Sequence, residues 1–127
     1  MAKVLGIGGV FFKSPDPARL RAWYSQRLGF AADEYGAMFA PATMPQGGMT
    51  VWNPFAATTD YFAPSQASFM INLVVDDLDG ALAQVREGGA EVVGSENHDY
   101  GRFGWFVDPD GNKVELWQPP APAQTSA

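Results

Sequence analysis

The chain has 127 residues, 46% of them hydrophobic, which suits one domain with a real core. A formal net charge of −6 with eight scattered Lys and Arg excludes the basic footprint that nucleic-acid binding demands, and no apolar run approaches the roughly 18 residues of a membrane-spanning helix. There is no cysteine, hence no disulfide framework and no thiolate chemistry, and the N-terminus lacks the apolar region of a signal peptide, so a cytoplasmic chain is expected.

Residues 4–12 read as a buried strand in which Gly6, Gly8 and Gly9 allow close backbone approach. Asp16 is placed to cap a helix that Pro17 opens without losing a hydrogen bond. Leu20, Trp23, Tyr24 and Leu28 then recur at helical spacing until Gly29 supplies the stop. Three short strands are predicted near 31–33, 37–41 and 48–52, punctuated by Pro41, Pro45 and Gly47-Gly48. A polar, aperiodic stretch follows and provides a linker over 55–68, within which Tyr61 and Phe62 are too apolar for idle exposure and are expected to cover a pocket mouth or a subunit contact. A strand over 69–75, a helix over 78–87 capped by Asp77, and strands over 90–93, 101–107 and 112–118 complete the order. Asp108-Pro109-Asp110-Gly111 makes the last turn. The tail, 119–127, has little to pack and is expected to be mobile.

The two halves repeat one another. Asp16 and Asp77 stand 61 positions apart, as do Gly9 and Met70, while Thr50 and Glu115 near the end of each half stand 65 apart. Two copies of a unit this size indicate a duplicated half-domain rather than a solenoid. The reading is therefore a single α+β domain over 1–118 made of two βαβββ modules, about 4–54 and 69–118.

That order, with Asp76-Asp77-Leu78 before the second helix and Asp108-Pro109-Asp110-Gly111-Asn112-Lys113-Val114-Glu115-Leu116 near the end, resembles the vicinal oxygen chelate superfamily, the glyoxalase, bleomycin-resistance and extradiol-dioxygenase group. The resemblance covers the chain apart from its tail. It implies a half-open mixed β-barrel with helices on the outer face, and commonly a homodimer whose sheets enclose two cavities. In metal-dependent relatives the ligands, usually His, Gln or Glu, lie on the opening and closing strand of each module. Carried over, those positions are Gly9, Thr50, Met70 and Glu115, the same four that the internal repeat aligns. Glycine offers no donor, methionine a soft thioether and threonine a neutral hydroxyl. Glu115 alone is a good ligand, so neither a metal nor any other cofactor is expected.

Strand alternation assigns the faces. If Glu115 faces the cavity, so do Lys113 and Trp117, and the final hairpin sets Trp105 opposite Glu115 and Phe103 opposite Trp117. Phe11, Thr50, Trp52, Met70 and Asn72 turn the same way by the same rule. The opposite, helix-facing set comes out apolar: Val10, Phe12, Val51, Ile71, Leu73, Val75, Phe106, Val114 and Leu116. Aromatic walls with a few polar anchors describe a pocket for a flat, largely apolar small molecule, which is the leading reading: metal-free binding of an aromatic or drug-like ligand. A second reading makes Glu115 the acid/base group of a metal-independent isomerase, epimerase or lyase. In a bland alternative, Glu115 merely pairs with Lys113 or Arg102. A third, weaker reading is a metal-dependent lyase or dioxygenase that recruits His98 and Asp99 as ligands.

Overall fold

The architecture is that of a computed structural model, which describes residues 1, 3, 5 and 7–121. Helix α1 runs Pro17–Leu28. Asp16 caps it by accepting from the Arg19 amide at 3.1 Å, and Gly29 ends it with a left-handed φ of 70°. Helix α2, Leu78–Glu87, starts in the same way, with the Asp77 carboxylate accepting from the Gly80 amide at 3.1 Å. The two starts that the sequence marks with Asp are thus built by one device.

Strands β1 (Ile71–Val74), β2 (Glu91–His98), β3 (Gly101–Val107) and β4 (Lys113–Gln118) form a four-stranded mixed sheet in the order β1-β4-β3-β2. β1 lies parallel to β4, and β4 and β2 flank β3 antiparallel. The predicted second half is therefore present as β1-α2-β2-β3-β4, with β2 running five residues beyond its expected end at 93. The sheet is open and does not close on itself.

Both helices pack on one face of this sheet. Leu78, Val85, Phe106 and Leu116 are completely buried there, with Val114, Leu82, Leu20 and Tyr24 around them. Gly104 lets α2 come close, since a Cβ at that position would press on Leu78 and Leu82. The indole of Trp23 donates to the Gly88 carbonyl at 3.0 Å and lies 5.8 Å from the Phe106 ring, which ties α1 to the end of α2 and to the sheet. Asp108 locks the last turn from the inside. Its Oδ1 accepts from the Asp110 and Asn112 amides at 2.9 Å each, and its Oδ2 accepts from the Tyr24 hydroxyl at 2.9 Å and the Asn112 side chain at 3.2 Å. Burial, and then the Asp108 charge, push the Tyr24 hydroxyl well above the ordinary phenol range.

The first half departs from expectation. Apart from α1 its described residues run as irregular chain, with a short 3-10 turn at Pro41–Thr43 and one isolated bridge between Asp33 and Gly36. The predicted strands at 31–33, 37–41 and 48–52 are not formed, nor is the described part of 4–12; Val4 and Gly6 lie outside the described residues, as do residues 122–127 of the tail. The physical reason lies in the missing neighbours. A strand is stabilised by ladder bonds and cross-strand pairs, and the described residues of these segments meet no partner strand. Val10, Phe12 and Val51, assigned by alternation to the helix side, are exposed in consequence, whereas Leu73, Val75, Phe106, Val114 and Leu116 join the core.

Candidate functional site

The face of the sheet turned away from the helices carries the chemistry. Alternation along β4 sends Val114 and Leu116 into the core and Lys113, Glu115 and Trp117 to the opposite side. The β3–β4 register pairs Trp105 with Glu115 and Phe103 with Trp117, as the turn at Asp108 predicts. The parallel β1–β4 register adds Asn72 beside Glu115.

Glu115 is the centre of this face, and only 9% of it is exposed. Its Oε1 accepts from the Trp105 indole at 2.9 Å and from the Tyr61 hydroxyl, and its Oε2 accepts from the Asn72 amide at 2.6 Å. Three donors on one carboxylate satisfy a group whose burial would otherwise be costly. Oε1 is engaged by two donors and Oε2 by one, so the accepting capacity that remains lies on Oε2. Neither Lys113 nor Arg102 pairs with it. Arg102 forks onto Asp79 at 2.8 and 3.2 Å, which holds the Asp79 carboxyl below the usual carboxylate range. The Lys113 ammonium donates to the Tyr61 carbonyl at 2.6 Å and lies 5.0 Å from the Tyr61 ring centroid and 5.6 Å from that of Trp105.

The aromatic groups continue toward the other end of the face. Phe103 and Trp117 stack with centroids 6.3 Å apart and planes 14° from parallel. The Trp117 indole donates to the Tyr100 carbonyl at 3.0 Å, and it crosses so close to Gly101 that a side chain there would collide with it. His98 stacks on Tyr100 at 4.9 Å and meets Glu96 at 3.0 Å; it is exposed, as is Asp99.

The structure thus brings Asn72, Trp105 and Glu115 together by hydrogen bonds and sets the Phe103–Trp117 stack on the same face. Met70 lies half-buried just before β1. Phe11, Thr50 and Trp52 are exposed and stay in the irregular first half; Phe11 is 95% and Trp52 78% exposed. The cavity-facing residues read from alternation omit Tyr61, which the linker lays over Trp105 with the two rings edge to face at 6.2 Å. Its signal in the sequence was an apolar pair, Tyr61-Phe62, within a polar stretch. A separate hollow at the β1 edge is lined by Leu28, Thr43, Pro45 and Val74 to Asp76, and among the described residues Asp76 is its only charge.

The donor set does not suit a metal. Of the four positions carried over from metal-dependent relatives, Gly9 and Thr50 are exposed in irregular chain and Glu115 spends its oxygens on three protein donors. Among the described residues no three His, Cys, Asp or Glu side chains gather as a ligand group. Nor is any described helix long and apolar enough to cross a membrane.

Residues 9–117 match the model of the glyoxalase-like domain, and the chain belongs to that family. No curated protein matches it. Among solved structures it is similar to a glyoxylase/bleomycin resistance protein/dioxygenase domain from Frankia sp. EAN1pec, with 12% identity over 93% of this chain and 100% of that one and a TM-score of 0.57. It is also similar to TnmS3, an antibiotic binding protein from Streptomyces sp. CB03234, with 26% identity over 83% of this chain and 88% of that one and a TM-score of 0.49. A glyoxalase/bleomycin resistance protein from the same Streptomyces is 40% identical over 40% of this chain and 46% of its own, with a TM-score of 0.37. The Frankia likeness shows a shared fold.

Proposed function

We propose that the protein binds a small, flat aromatic molecule against the open face of the sheet, without a metal, and does so as a homodimer. The observation that carries this reading is the joint placement of Trp105, Phe103 and Trp117 on one face around a buried, hydrogen-bonded carboxylate. Aromatic walls supply the apolar area a ring system seeks, and Glu115 with Asn72 supplies the few polar groups that orient it.

The two-module barrel belongs to the same proposal. Phe11, Val51 and Trp52 are large, exposed and aligned by the internal repeat with residues of the sheet-forming half. An apolar surface of this kind marks an association site, and the first-half segments gain the neighbours they lack when a second copy supplies them. The two modules then form the half-open barrel over each cavity.

The test is a melting curve against a panel of fused-ring aromatic compounds, run on untreated and chelator-treated protein. A ligand at a hundredfold excess over its Kd adds about 2.7 kcal/mol, a rise of several degrees in Tm. That rise is expected equally in both preparations. A Tm unmoved across the panel, or a rise lost with the chelator, contradicts the reading.

A further inference from the structure

Tyr61 already does on this face what a ligand would do. Its ring stacks on Phe55 at 5.6 Å with planes 22° apart, meets Trp105 edge-on, and lies under the Lys113 ammonium, while its hydroxyl donates to Glu115. The donors on Glu115 differ in origin. Trp105 and Asn72 belong to β3 and β1 and are fixed by the sheet. Tyr61 comes from the linker, in a stretch without helix or strand, and is 36% exposed, with Phe55 beside it at 44%. Apart from the Lys113 ammonium on the Tyr61 carbonyl, this stretch has no ladder bonds to the sheet, and such segments open at lower cost than the sheet they cover. The third donor is therefore the exchangeable one.

We infer that Tyr61 is an internal stand-in for a phenol, so that the site selects hydroxylated aromatic ligands, which displace Tyr61 and donate to Glu115 in its place. The inference rests on the aromatic-binding reading above and names its ligand class. The chemistry sets the selection. Once Tyr61 leaves, Glu115 Oε1 keeps only the indole donor, and a buried carboxylate oxygen facing a ring is left short of a hydrogen bond. A ligand hydroxyl restores that bond. A methoxy group at the same place brings an oxygen without a proton, and acceptor then faces acceptor. Sites built around a buried polar group discriminate strongly against analogues that fail to pair with it. Lys113, whose ammonium lies over the Tyr61 and Trp105 rings, favours an electron-rich ring in the vacated space.

The test titrates 2-naphthol and 2-methoxynaphthalene into the full chain, read by calorimetry, for the natural protein, Tyr61→Phe and Tyr61→Ala. Tyr61→Phe keeps the ring packing and removes only the competing hydroxyl, so it guards against an effect of misfolding. The natural protein is expected to prefer 2-naphthol by about tenfold or more, the scale of a hydrogen bond to a charged group. Tyr61→Phe and Tyr61→Ala are each expected to tighten 2-naphthol by roughly tenfold, because the competing hydroxyl no longer holds Glu115. Equal affinity for the two probes in all three proteins overturns the phenol selection and leaves aromatic binding standing. Weaker 2-naphthol binding in both variants overturns the stand-in role and makes Tyr61 a wall of the pocket. If neither probe binds any of the three proteins, the inference falls and so does the aromatic-binding reading beneath it.

Discussion

Asp108→Ala is expected to lower the unfolding free energy by about 3 kcal/mol, seen as a fall in the urea midpoint with an unchanged slope. Asp108 is 5% exposed and uses both carboxylate oxygens, which accept two turn amides, the Asn112 side chain and the Tyr24 hydroxyl. Alanine removes the acceptor while the donors stay largely out of water, so the cost is the penalty of unmet donors rather than the modest net worth of the bonds. Tyr24→Phe removes one donor and leaves the turn intact, so its loss is smaller, about 1 kcal/mol. The turn that Asp108 holds sets the β3–β4 register, and the register puts Trp105 opposite Glu115. A loss below about 1 kcal/mol in Asp108→Ala would show that the turn closes without its carboxylate.

Glu115→Ala is expected to cost about 2–3 kcal/mol in stability and to abolish aromatic binding at concentrations that saturate the natural protein. The cost comes chiefly from Trp105, an 8% exposed residue whose indole N–H then has no acceptor. Tyr61 and Asn72 are more exposed and turn to water, which limits the total. Glu115→Gln retains one acceptor oxygen and is expected to lose about 1 kcal/mol. Urea denaturation ranks the three proteins. An alanine variant as stable as the natural chain would mean that the carboxylate does not organise this face.

Local rules made the second half of the fold legible. The Asp caps of both helices, the Asp108 turn and the two-residue alternation along 101–107 and 112–118 depend on residues close in sequence, and each is found in place. The same rules marked strands at 31–33, 37–41 and 48–52, where none forms, because a strand also needs a neighbour that its own residues cannot supply. The candidate site divides the same way. Trp105, Glu115, Phe103 and Trp117 share a face because one hairpin carries all four. Phe11, Thr50 and Trp52 were assigned to that face by alternation along segments whose described residues form no strand. Tyr61 reaches Glu115 across 54 positions through an aperiodic linker, and no spacing rule foretells such a contact. Only its apolar ring in polar surroundings hinted at a role.

The indole resonances of the four tryptophans give the most direct test of where a ligand sits. Trp105 and Trp117 lie on the open face, whereas Trp23 donates to Gly88 on the helix side. Nitrogen-15-labelled protein titrated with a binding fused-ring compound is expected to show the Trp105 and Trp117 indole signals moving together to saturation, with Trp23 unmoved. A saturable ligand that shifts Trp23 and leaves both Trp105 and Trp117 in place would contradict binding on this face.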